Sequence, residues 1–325
     1  MDKVDDLRPA HVRANSELLD HVRPEERSVR RLITILLLGI PLGGLAALLT
    51  GVACILAASG LTGRSFDQLM ALSTGKAASG ARGLLSYGFE LSIAGLASIA
   101  FALVLLLVAA KVQRRPAWTF LTTAPRLRAG LFLGGFVAGA VLVGGAVAIE
   151  QLWSSQSPTP PILTPGADWG ERAGYAALAA GFLFLAALAE EVLFRGWFVQ
   201  QVAAWTRNLA LMLAVNGLVF SFVHFDPNLS GFIVRSVMGA GWAWIALRTG
   251  GIEFTTGAHL ANNLLVSLFV VPVSFRPQPS AELDVAGVAV EAGVIILLVL
   301  VVEAWVRVRS NGTEGEAVRE ARVTQ

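Results

Sequence analysis

The chain is 325 residues long, 55% hydrophobic and only 15% charged, with 25 Lys and Arg against 23 Asp and Glu. Soluble globular chains carry about 25% charged residues, and here 14 of the 48 charges fall in Met1–Arg31 and 7 in Arg307–Gln325, leaving 27 for the 275 residues between. That distribution excludes a water-soluble enzyme and a disordered chain; the single cysteine, Cys54, excludes a disulfide scaffold, and a net charge of +2 without a basic aromatic patch excludes a nucleic-acid partner.

A membrane span needs about 20 mostly apolar residues. In chain order the charged segment 1–31 is followed by eight such runs: Leu32–Ala58, Leu91–Ala110, Ala129–Ile149, Arg172–Gln200, Leu209–Phe225, Gly231–Leu247, Ile252–Val271 and Val285–Val306. The expected fold is an all-α polytopic membrane protein, a bundle of about eight transmembrane helices. The first run is too long for a signal-peptide core and is expected to stay uncleaved. Between spans, Gly60–Glu90 is a long connector. Residues 151–170 hold Pro158, Pro160, Pro161 and Pro165 and make a stiff surface loop, ending at Asp168, a helix cap, and Glu171, which can reach back to it. Residues 171–272 form a core, 273–306 the last span and 307–325 a second charged tail. With both tails in the cytoplasm, that side holds 18 Lys and Arg against 5 opposite, the asymmetry the positive-inside rule requires. In the third span Gly130, Gly134, Gly135 and Gly139 let a neighbouring helix of the same bundle come close.

Ionisable side chains are costly at bilayer depth and persist where they face a cavity or a partner. Glu90, Glu150, Glu253, Asp284 and Glu303 lie near span ends and can reach an interface; Glu291 is read as structural. The exception is Glu190-Glu191-Val-Leu-Phe-Arg195, in the middle of an apolar run. Glu191 and Arg195 share a helix face at i, i+4 and form a charge pair. Glu190 lies about 100° round the helix, free to point across the bundle, and is expected to be the more desolvated carboxylate and the one that moves protons. His11 and His21 belong to the charged tail, whereas His224 and His259 are the two histidines within spans, with Phe220 and Asn263 respectively four residues away. Measured from the cytoplasmic ends, Glu190, His259 and His224 lie at depths of roughly 15, 10 and 22 Å at about 1.5 Å per residue, a wide spread for one site.

The three segments, in order, resemble the CPBP intramembrane proteases, also called the Abi or CAAX prenyl protease family, whose pattern is Glu-Glu-x-x-x-Arg, Phe-x-x-x-His and His-x-x-x-Asn. They stand here as Glu190-Glu191-x-x-x-Arg195, Phe220-x-x-x-His224 and His259-x-x-x-Asn263, within about Gly170–Pro272. The resemblance implies an eight-helix fold with a peptidase site in a membrane cavity. It further implies that Glu190 and His224 activate water, that His259 and Asn263 stabilise the oxyanion, and that Glu191 and Arg195 hold the first pair.

The expected function is therefore an intramembrane endopeptidase acting on a membrane-associated or lipidated peptide, integral to a bacterial cell membrane and surrounded by lipid. The cavity is expected to open towards the side bearing Arg114, Arg115 and Arg207. A non-catalytic scaffold or immunity-type protein of the same fold, and a proton-coupled transporter, are the alternatives. Zinc bound by Glu190, His224 and His259 is the alternative chemistry to metal-free, glutamate-activated water. Zinc would leave Glu191 as base, and Glu191 is engaged by Arg195, so the metal-free form is favoured.

Overall fold

A computed structural model describes residues 16–73, 83–153, 159–225, 228–271 and 283–323; His11, Pro158 and the six charges of residues 1–15 lie outside these. The described residues are helical, and their one β element is an isolated antiparallel bridge between Thr122 and Gly251. The helices are α1 (Val29–Thr62), α2 (Phe66–Ser73), α3 (Leu84–Gln113), α4 (Ala129–Trp153), α5 (Trp169–Glu191), α6 (Val199–Ala203), α7 (Leu209–Phe222), α8 (Leu229–Thr249), α9 (Glu253–Phe269) and α10 (Val285–Val323). A π-helical segment, Val192–Phe198, joins α5 to α6 in one continuous rod.

Among the described residues six helices are long and apolar enough to cross a membrane: α1, α3, α4, the α5–α6 rod, α8 and α10. The chain is an integral, multi-pass membrane protein. The two remaining expected spans correspond to shorter helices. At about 1.5 Å per residue, the 14 residues of α7 and the 17 of α9 reach only part of the way across hydrocarbon about 30 Å thick.

Several boundaries differ from the sequence expectation. The Gly60–Glu90 connector is shorter, because α1 runs on to Thr62, α2 follows and α3 begins at Leu84. The last helix does not stop at Val306 but continues to Val323. Asp168 does cap α5, accepting from Glu171 N at 2.8 Å, whereas Glu171 turns away and accepts from Leu84 N at 2.8 Å, tying α5 to the start of α3. Glu90 is buried inside α3 rather than at an interface. Glu253 is buried too, fixed at the start of α9 by Arg128 and Thr122, each at 2.7 Å.

The first 31 residues are not wholly a solvated tail. Leu18 and Leu19 are fully buried, and Glu26 forms a buried ion pair with Arg115 at 3.2 Å. Arg115 also donates to Gln200 of α6, to Thr119 and to the His21 carbonyl; Gln113 donates to Gln201 at 2.7 Å, and Arg207 donates to the Leu19 carbonyl at 3.0 Å. Residues 16–28 thus close the end of the bundle that carries Arg114, Arg115 and Arg207.

Helix packing follows the small residues. α4 lies against α9, α3 against α5, and α7 against α8. A methyl group at Gly135 would collide with the Phe254 carbonyl, one at Gly257 with the Phe132 carbonyl and one at Gly217 with the Ser236 carbonyl. The third-span glycines serve packing within the bundle: Gly135 and Gly139 meet α9, whereas Gly130 faces open space. These close approaches seat α9 and α8, the helices on either side of the site described next.

Candidate active site

Glu190 and Glu191 are the last two residues of α5, directly before the π-helical segment. Such segments re-aim the side chains around them. Here the segment carries Arg195, and Gly196 admits the Phe120 carbonyl at close range. Glu191 points inward. Its Oε1 lies 3.3 Å from Arg195 Nη1 and 3.0 Å from His259 Nδ1, and all three side chains are buried, Glu191 and Arg195 completely. A carboxylate accepts and does not donate, so His259 carries its proton on Nδ1 towards Glu191.

Glu190 faces the other way. Its Oε2 is 3.7 Å from His259 Nε2 and 4.0 Å from His224 Nε2, and its side chain is 30% exposed. The expectation that Glu190 is the more desolvated of the pair is therefore reversed. Arg195 and His259 both meet Oε1 of Glu191, so the inner carboxylate is Glu191.

His224 sits in the turn after α7, where Nδ1 lies 2.6 Å from the Phe220 carbonyl oxygen. A carbonyl only accepts, so Nδ1 is protonated, and Nε2 faces Glu190. The Phe220 ring meets the imidazole edge-on at 4.9 Å. The next residue, Phe225, has φ of 50°, a left-handed backbone that a bulky side chain adopts at a cost. Because α7 stops at Phe222, His224 does not continue up a helix axis, and the depth spread in the sequence estimate closes.

Asn263 lies one turn beyond His259 on α9, and its carboxamide oxygen accepts from Asn262 at 3.1 Å. Among the described residues no hydrogen bond links it to Glu190, His224 or His259. Sequence spacing leaves two neighbours unmarked. One is the Glu191–His259 bond, across 68 positions. The other is Trp242 of α8, whose ring lies 4.2 Å from that of His259.

Exposure changes along the bundle axis. Towards the Arg115 end, Val192, Arg195, Ile252 and Phe120 are buried, whereas at the α7–α8 turn Phe222, Val223 and Phe225 are exposed. Exposed side chains of the cluster's surroundings thus lie at the end of α7, and buried ones towards Arg115. Residues 16–28 and the turn Ala117–Phe120 fill that end.

Among the described residues no three or more His, Cys, Asp or Glu side chains are grouped to hold a metal ion. Ligands bound tetrahedrally at 2.0–2.1 Å stand about 3.3 Å apart, and the Glu190 separations of 3.7 and 4.0 Å are wider. Zinc held by Glu190, His224 and His259 would need these separations to close by about 0.4–0.7 Å.

Comparison with known proteins reaches the same segment. Residues 172–265 match the family model described as type II CAAX prenyl endopeptidase Rce1-like, a stretch that contains all three motifs. This part of the chain is Rce1-like. Among curated proteins, the Uncharacterized protein YyaK of Bacillus subtilis (strain 168) is 32% identical over 88 residues. That similarity covers 25% of this chain and 29% of the relative, so the chain spans under a third of the protein it matches. No solved structure matches. The Rce1-like segment supplies Glu190, Glu191, Arg195, His224, His259 and Asn263 from the α5–α6 rod, the α7 turn and α9.

Proposed function

We propose that the protein is an intramembrane endopeptidase that hydrolyses a peptide bond of a membrane-associated or lipidated substrate. The observation that carries this reading is the meeting of two imidazole Nε2 atoms at one carboxylate oxygen, each imidazole anchored through its other nitrogen. Gaps of 3.7 and 4.0 Å are too long for direct hydrogen bonds and are of the size that a bridging water closes.

A water between Glu190 and His224 gives its proton to this pair as its oxygen attacks the scissile carbonyl carbon. The carbonyl π electrons move onto oxygen, and that oxyanion is met by His259 and, one turn along α9, by Asn263. His259 would donate to it from Nε2, with its Nδ1 side held by Glu191. Collapse of the tetrahedral intermediate breaks the C–N bond, and the proton held by Glu190 and His224 passes to the leaving amine. Glu191 and Arg195 act through position alone.

The test is to incubate reconstituted protein with a library of lipidated and unlipidated peptides and read products by mass spectrometry. The expected result is cleavage at one internal bond by the parent protein and none by Glu190→Gln, with turnover that survives thorough chelation. Activity lost to a strong chelator and restored by zinc alone would replace the metal-free mechanism with one in which His224 and His259 are ligands. Peptides bound but never cut would favour the scaffold reading.

A further inference from the structure

α8 carries none of the three motifs, yet one of its side chains touches all of them. Trp242 is 1% exposed. Its ring lies 4.2 Å from that of His259 at an interplanar angle of 37° and 6.2 Å from that of Phe220, while the Arg195 guanidinium carbon stands 5.1 Å over it. Arg195 also lies 4.2 Å over Phe220, so the guanidinium sits in an aromatic cage. Within that cage it has the Glu191 ion pair but no well-formed hydrogen bond from any of its three nitrogens.

The His259 bond to Glu191 fixes one ring atom and leaves the ring free to turn about that axis. A planar group packed 4.2 Å from it at a tilt of 37° restricts that freedom, and Nε2 then stays aimed at Glu190. The indole is itself firmly seated, because Gly239, one turn before it, presses on Gly217 and Phe220 of α7, where a methyl group would meet the Gly217 Cα at 2.8 Å. The buried indole N–H makes no hydrogen bond, an uncompensated cost that Phe or Leu would avoid. What Trp adds over those residues is a wide, electron-rich face against a guanidinium and an imidazole.

We propose that Trp242 is a positioning residue of this site: its face sets the plane of the His259 ring and, with Phe220, cages Arg195, so that Glu191 keeps both partners. The kinetic part rests on the hydrolytic reading above; the geometric part does not.

The test uses the full chain, labelled with nitrogen-15 at its four histidines, in lipid nanodiscs. The Nδ1–H proton of His259, bonded to Glu191, gives a downfield resonance identified by its absence in His259→Asn. It is expected in the parent and in Trp242→Phe, and lost in Trp242→Leu while the His224 signals stay in place. In turnover, Trp242→Leu is expected to lower kcat about tenfold or more with KM within about twofold, and Trp242→Phe to restore kcat to within about threefold of the parent, the pattern of a misaimed group rather than lost substrate binding. Should Trp242→Leu fail to fold, Trp242→Met supplies a flexible apolar chain in its place. A leucine or methionine variant that keeps both the resonance and the parent kcat overturns the proposal, as does a phenylalanine variant that folds but loses both. A parent that cleaves no peptide refutes the hydrolytic reading, and the resonance then still decides the role of Trp242.

Discussion

Glu190 and Glu191 are adjacent in the chain and opposite in surroundings, so the same substitution at each has a different expected outcome. Glu190→Gln keeps shape and removes a proton acceptor from a partly exposed position; turnover is expected to vanish with thermal stability almost unchanged. Glu191→Gln leaves Arg195 as a completely buried cation without its counter-charge. Breaking a buried pair from one side costs about 3–5 kcal/mol, so a clear fall in melting temperature is expected along with loss of the His259 anchor. Thermal denaturation of both variants beside the peptide assay checks the division; equal melting curves would show that Arg195 does not depend on Glu191. At this scale the i, i+4 pairing of Glu191 with Arg195 was legible, because helix geometry alone dictates it. The Glu191–His259 bond was not. It joins residues 68 apart, and no local pattern reports which carboxylate a distant imidazole will choose.

At the scale of elements, apolar run length told of the long helices, since hydrocarbon thickness sets that length. It could not mark where α7 ends. Residues 220–225 read Phe-Ser-Phe-Val-His-Phe, as apolar as a helix interior, with no glycine or proline to stop them before Pro227. The π-helical segment was equally hidden, because its residues, Val192–Phe198, pass for ordinary α-helix in composition. The glycines of α4 were legible as a packing face, though not which of them make the contact. Gly135 meets backbone of α9, and backbone cannot swing aside as a flexible side chain can. Gly135→Ala is therefore expected to push α9 off α4, at a cost of about 1–3 kcal/mol typical of overpacking, and to displace His259 enough to lower turnover. Gly130→Ala, with nothing near its Cβ, is the matched control and should behave as the parent. Melting and turnover of the pair decide whether α4 seats the His259 helix.

For the whole molecule, the three motifs fall on α5–α6, α7 with its following turn, and α9, after α1, α3 and α4 in the chain. The treatment of the N-terminus as solvated does not hold, because composition reports that a segment is charged but not that one of its charges has a buried partner. Glu26 and Arg115 are each 1% exposed, and Arg115 binds Gln200 on the rod that carries Glu190. Glu26→Ala should release residues 16–28, making the Arg27–Ser28 bond more readily cut by trypsin in reconstituted protein; unchanged cleavage would mean that Leu18 and Leu19 alone hold the segment. The docked segment also bears on membrane orientation. It packs at the Arg114, Arg115 and Arg207 end, and the excess of Lys and Arg predicts that this end is cytoplasmic, with the α7–α8 turn away from it. Single cysteines in a Cys54→Ala background test this assignment. Arg126→Cys, exposed between α3 and α4, should react with an impermeant maleimide only after cells are opened, and Leu163→Cys, 52% exposed between α4 and α5, in intact cells. The reverse pattern would turn the molecule over, place residues 16–28 outside and bring the α7–α8 edge of the site to the cytoplasmic half of the bilayer, where a lipidated cytoplasmic peptide could reach it directly.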